Sequence, residues 1–111
     1  MSDPEGPTWR VVYSDGFARD LGKLDRSQAR RILKYLTERI DGQPDPRAHG
    51  HALTGPELGG LWRYRIGNYR VITELTNDTC TVLALRVGHR STIYRWPPRS
   101  LPQATGRRNL S

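Results

Sequence analysis

Gly59-Gly60-Leu61-Trp62-Arg63-Tyr64-Arg65-Ile66-Gly67-Asn68-Tyr69-Arg70-Val71-Ile72 is the run whose reading decides the fold. It divides into two strands around a tight turn at Gly67-Asn68. In the first strand Trp62, Tyr64 and Ile66 fall on one face, and Leu61, Arg63 and Arg65 on the other. After the turn Tyr69, Val71 and Thr73 share a face, with Arg70, Ile72 and Glu74 opposite. Gly and Asn both tolerate the positive φ that a two-residue hairpin turn demands. Trp62 and Tyr64 read as core-facing residues of the hairpin rather than as a base-stacking platform. Arg63 and Arg65 stand about 6.6 Å apart at a rise of ~3.3 Å per residue, so their side chains can converge on one anion. Guanidinium forks suit phosphate and keep their charge at any working pH. The same arginines could equally form a solvated strand face.

Working outward from the hairpin, Trp9 to Tyr13 is a short β-prone run, and Ser14 or Asp15 can cap a helix after it. Phe17, Ala18, Leu21 and Leu24 recur at helical spacing, and this first helix ends near Lys23-Leu24. Asp25 opens a second helix, with Gln28 placed as in a capping box. Ala29, Ile32, Leu33, Leu36 and Ile40 form its apolar stripe. Arg30, Arg31, Lys34 and Glu38 lie off that stripe and read as a solvated face. Asp41-Gly42 ends the helix, and Pro44 and Pro46 keep it from resuming. Residues 41–60 read as a loop. His49 and His51 lie there without further ligand-type residues at metal-site spacing, so no metal is expected. Beyond the hairpin, Thr76-Asn77-Asp78 signals a turn and Thr79 to Val87 a central strand that Gly88 breaks. The order strand, helix, helix, three strands predicts an α+β fold. An antiparallel three-stranded meander joins the N-terminal strand in a four-stranded sheet, with a two-helix hairpin on one face. The N-terminal strand can pair at an edge or beside the last strand. The second sheet face is left open, with Arg63 and Arg65 free to lie on it.

Composition narrows the partners. The 111 residues make one domain, expected over 9–96, with a lead-in at 1–8 and a flexible basic tail at 97–111. The net charge is +7 and the pI about 10.3, nearly all from arginine, since Lys23 and Lys34 are the only lysines. Such a surface favours nucleic acid or an acidic protein partner. Cys80 has no partner for a disulfide, and in its apolar strand pattern it reads as a buried structural thiol. The first residues lack a basic and then apolar leader, and no run is long enough for a membrane span, so the expected location is cytoplasmic.

The chemistry gathers at two places: Arg63, Arg65 and Arg70 on the hairpin, and His89, Arg90 and Tyr94 beyond the last strand. A meander can bring its last strand back beside the hairpin. The combined set suits RNA cleavage through the 2′-hydroxyl. Arginines would bind the scissile phosphate and its developing charge, Tyr94 would stack on a base, and His89 is the side chain suited to proton transfer near neutrality. Taken singly, Tyr94 could as well cap the core and His89 serve a structural hydrogen bond.

Leu53-Thr54-Gly55, then Leu61 to Ile72 with its G-x-Y-R turn, then Val87-Gly88-His89-Arg90 with Tyr94, resemble the RelE/ParE toxin superfamily, and most closely its RelE branch. The resemblance spans residues 9–96. It implies the toxin of a type II toxin–antitoxin system: a small α+β ribonuclease that enters the ribosomal A site and cuts mRNA. Cleavage would leave a 2′,3′-cyclic phosphate and a 5′-hydroxyl, without metal or other cofactor. It also implies a RelB-like cognate antitoxin, with operator DNA reached only through the antitoxin complex. Carried over, Arg63 and Arg65 match the family's basic pair, Arg70 the arginine on the scissile phosphate, Arg90 the arginine after the last strand, and Tyr94 the tyrosine on the base. Where some members have lysine, this chain has arginine, which cannot give up its proton, so Arg65 is a poor general base. The base is then His89, a group of the ribosome, or none, with catalysis resting on positioning and electrostatics. The gap between Arg90 and Tyr94 is also short for the family. Two rival readings stay open: a ParE-like inhibitor of DNA gyrase acting by protein contact, and a non-catalytic basic module that binds RNA or an antitoxin.

Overall fold

The computed structural model describes residues 7–53 and 60–93. Tyr94, the tail 97–111, most of the lead-in 1–8 and the Thr54-Gly55 part of the family run lie outside these residues.

The chain folds as β1 (Arg10–Tyr13), α1 (Asp15–Gly22), α2 (Arg26–Tyr35), a π-helical turn (Leu36–Ile40), a 3₁₀ turn (Pro46–Ala48), β2 (His51–Ala52), β3 (Leu61–Ile66), β4 (Tyr69–Thr76) and β5 (Thr81–His89). The sheet runs β1-β5-β4-β3-β2. The meander β3-β4-β5 is antiparallel, and β1 lies parallel to β5 with Val11 beside Val82. The expected α+β architecture is present, with β1 in the second of its two allowed places.

The sheet has a fifth strand within the span 41–60, where the sequence predicts a loop. His51 and Ala52 pair with Arg63 and Trp62. Two local features hold the segment there. Trp62 Nε1 donates to the His49 carbonyl at 2.6 Å, and Gly50, at φ +80°, lies so close to the Arg63 carbonyl that no Cβ fits between them.

Ser14 caps α1 as expected, its Oγ accepting from Phe17 N at 3.1 Å. The capping box on α2 does not form. The Asp25 side chain makes no cap bond, and its Oδ2 lies 3.5 Å from Ser27 Oγ, which competes for it. Instead the Asp25 carbonyl accepts from Gln28 N and Ala29 N, at 3.1 and 3.0 Å. The helix widens over Leu36–Ile40 and stops at Gly42, φ +77°. Asp41 Oδ1 then accepts from Val11 N at 2.9 Å, fastening the helix end to β1.

Phe17, Ile32, Leu36 and Ile40 from the helices meet Tyr64, Val71, Val82 and Val87 in one buried cluster. β5 can offer both Ala84 and Val87 to this cluster because Leu85 is an extra residue, passed over where Thr73 pairs with Ala84 and Ile72 with Arg86. Leu85 packs instead on the opposite face, where Leu61, Ile72 and Ile93 form a second small cluster. That face is therefore partly covered rather than open. Gly88 makes this possible. It does not break the strand but pairs with Arg70, and a Cβ on it would stand 3.1 Å from Ile93 Cδ1. Cys80 also departs from expectation: it is a half-buried turn residue at φ +50°, just before β5. Among the described residues no helix is long and apolar enough to cross a membrane.

Candidate active site

The Gly67-Asn68 turn is the meeting point of three chain segments. Arg70 pairs with Arg65 across the hairpin and with Gly88 on β5. It is 8% exposed, and its Nη1 donates to the carbonyls of Gly67 at 3.0 Å and Tyr69 at 2.9 Å. The guanidinium therefore braces the turn through one nitrogen, and a fork of further N–H donors remains for an anion.

Arg90 is brought to the same turn by its backbone, its N–H donating to the Asn68 carbonyl at 2.7 Å. His89 pairs with Tyr69, and the two rings meet edge to face at 5.5 Å. His89 Nδ1 lies 2.8 Å from Ser91 Oγ and accepts from Ser91 N at 3.1 Å. With Nδ1 an acceptor, the neutral ring carries its proton on Nε2 and presents a hydrogen-bond donor there rather than a free base nitrogen. Tyr69 packs against the main core, so His89 stands on the helix side of the sheet end. Arg63, Arg65 and Arg70 alternate toward the other side.

Arg65 is exposed, opposite Arg70. Arg63 is half-buried one pleat further along, between Ile72 of β4 and His51 of β2. The structure thus gathers Arg65, Arg70, His89 and Arg90 at one end of the sheet, with Arg63 flanking them. Ile93 sits over Gly88, which pairs with Arg70; Tyr94 lies outside the described residues. Among the described residues no three His, Cys, Asp or Glu side chains come together to hold a metal ion.

Sequence reasoning missed how the turn itself is used. The Gly67 and Asn68 carbonyls hold Arg70 and Arg90 in place, and only the positive φ expected at Gly67, observed at +61°, hinted at an unusual backbone there. Trp62 and Tyr64 are core residues as read, and the Tyr64 hydroxyl donates to the Pro46 carbonyl at 2.9 Å. Burial, reinforced by neighbouring Tyr35, holds the Tyr64 phenol neutral far above its ordinary range.

Residues 11–94 match the family of ParE toxins of type II toxin–antitoxin systems. Toxin RelG of Mycobacterium tuberculosis is 35% identical over 89 residues, covering 78% of this chain and 97% of that protein. The fold is also that of the toxin–antitoxin complex RelBE2 from Mycobacterium tuberculosis, with a TM-score of 0.69 at 27% identity over 80% of this chain and 99% of the other. The archaeal RelE–RelB complex of Pyrococcus horikoshii OT3 is similar at a TM-score of 0.55 and 27% identity, covering 76% of this chain and 97% of that one. The matched span includes the hairpin, its turn and the arginine after the last strand, and the chain belongs to the RelE/ParE superfamily of type II toxin–antitoxin toxins.

Proposed function

We propose that this toxin is an endoribonuclease that cuts mRNA in the ribosomal A site through the RNA 2′-hydroxyl. The observation that carries the reading is the gathering of Arg65, Arg70 and Arg90 around one turn, with His89 at the same sheet end. Cleavage of this kind builds negative charge on a phosphate, and donors fixed in advance stabilise that charge at little reorganisation cost. Arg70 is the best fixed of them, being buried and braced. Arg65 and Arg90 flank the phosphate, Arg63 holds an adjacent one, and Tyr94 orients a base. His89 stands at the same sheet end with its proton on Nε2, so it is a hydrogen-bond donor there and not the base; the proton taken up by the departing 5′-oxygen comes from water or the ribosome. No side chain of the cluster is a strong base, so the ribosome supplies the missing setting for the 2′-hydroxyl. The inhibitor of the free toxin is a RelB-like antitoxin, consistent with the solved RelE–RelB relatives.

Primer extension tests this on a defined mRNA, with programmed ribosomes and without them. A cut at the A-site codon in the ribosome sample alone supports the reading; a refolded, monodisperse sample that cuts in neither removes it. One observation favours a second reading, inhibition of DNA gyrase: the matching family carries the ParE name. The two separate in cells by whether translation arrests first or DNA damage appears first.

A further inference from the structure

We propose that the cleft between α2 and the outer edge of β3 is a second phosphodiester site, holding RNA backbone away from the bond that is cut. The inference extends the ribonuclease reading but is tested apart from it. β3 pairs with β2 only at Trp62 and Arg63, so at Tyr64–Ile66 its outer edge meets α2 instead of a strand. There Arg31, Lys34 and Arg39 face Arg65 across a cleft that also exposes Tyr35 and Glu38. In the sequence Arg31 and Lys34 read as part of a solvated helix face; the fold brings them to the hairpin.

Three observations set this cleft apart from a merely solvated face. Glu38 lines it, yet among the described residues none of the four cations is ion-paired. Like charges gathered without a counter-ion repel, and a bound anion relieves the repulsion. Arg39 lies over the Tyr35 ring at 5.7 Å, which holds its planar fork in place. The cleft is also continuous with the turn. The Arg31 guanidinium rests on Gly67, where a Cβ would come within 2.7 Å of its Nη1, and the Gly67 carbonyl accepts from Arg70. Arg65 belongs to both places, opposite Arg70 and in the cleft wall. A basic track thus runs from the candidate cutting site around the strand edge. Its polar, fork-lined walls suit a phosphate backbone. The groove on the other flank of α2, lined in part by Ala29 and Leu33, suits a protein better.

The backbone in the cleft can be the same mRNA strand or ribosomal RNA, and two binding arms distinguish them. Fluorescence anisotropy measures salt-dependent binding of 2′-O-methyl oligonucleotides of 3 and 12 nucleotides, and of empty ribosomes, to wild type and to Lys34→Gln/Arg39→Gln. Each phosphate contact removed lowers the slope of log K against log salt by about 0.7 on single strands. A slope lower by about 0.7–1.4 for the longer oligonucleotide, with the shorter one unchanged, supports the site and assigns it to the mRNA strand. A lower slope on ribosomes alone supports it and assigns it to ribosomal RNA. The charge-keeping Lys34→Arg/Arg39→Lys variant should retain the wild-type slope; if it does not, the effect is one of packing on Tyr35 and the proposal fails. Unchanged slopes in both arms overturn it, including where the Gln variant loses only antitoxin affinity. If the wild type never cuts mRNA but shows these slope differences, the site stands and the nuclease reading falls.

Discussion

Arg70 braces the hairpin turn and is proposed to bind the phosphate with the same guanidinium, and the two roles predict different losses. Its Nη1 closes the hairpin turn onto two carbonyls, and its remaining donors face the proposed phosphate. Arg70→Ala should therefore lower the single-turnover cutting rate by about 10²–10³, the usual loss for one fixed transition-state donor. It should also destabilise the fold by about 1–3 kcal/mol, because two turn carbonyls lose a charged donor; urea denaturation reads this as a lower midpoint at unchanged m. A folded variant cutting at the wild-type rate would remove Arg70 from the chemistry. Tyr64 predicts a pH effect. Its phenol is fully buried, and burial raises its pKa above the ordinary 10.0. The unfolded chain then loses this proton first as pH rises, so the stability contributed by the neutral phenol is whole below pH 10 and declines above it. Tyr64→Phe should be less stable at pH 7, having lost the bond to Pro46, yet show a shallower decline in urea midpoint between pH 9.5 and 11.5. Parallel declines in the two proteins would contradict this.

At the scale of elements, α1 is held to β5 by one carboxylate. Asp20 accepts from Arg86 Nε at 2.7 Å, Arg86 Nη2 at 3.1 Å and Val87 N at 3.0 Å. The Arg86 side chain is 38% exposed, so solvent weakens that pair, and the buried Val87 N–H carries the larger cost of removal. Asp20→Ala should cost about 2–3 kcal/mol in chemical denaturation and Asp20→Asn clearly less, since the amide oxygen can still accept. Gly50 makes the second prediction. At φ +80°, with Trp62 Nε1 only 2.8 Å from where a Cβ would stand, Gly50→Ala should cost about 1–3 kcal/mol of strain. It should also detach β2, visible as faster amide exchange at His51 and Ala52; unchanged exchange there would count against the account. Elements fixed by local pattern were legible in the sequence: the hairpin from its two-residue alternation, α2 from its apolar stripe, the α1 cap from Ser14. Those fixed by distant contacts were not. β2 exists because Trp62 and Gly50 hold it, the β5 bulge because two faces compete for its side chains, and Gly88 continues the strand because Ile93 needs its missing Cβ.

The whole molecule places its charge where its topology turns. The net charge of +7 is concentrated in part at one end of the sheet, where the hairpin turn, the end of β5 and the flank of α2 converge. The strand arginines of the candidate site were legible because alternation and the G-x-Y-R and G-H-R runs mark them locally. The orientation of His89 was not, because it depends on Ser91 and on a register with Tyr69 that only the folded sheet sets. Nor was the company Arg65 keeps, since α2 reaches it only across the fold. The central claim is that this cluster drives attack by an RNA 2′-hydroxyl in the A site. The most direct measurement is single-turnover cutting on ribosomes programmed with two mRNAs that differ in one atom: the 2′-oxygen of the nucleotide at the mapped cut. The account predicts cleavage of the all-ribose message, with a cyclic phosphate end, and none at that position when the oxygen is replaced by hydrogen. Equal cleavage of both would contradict it.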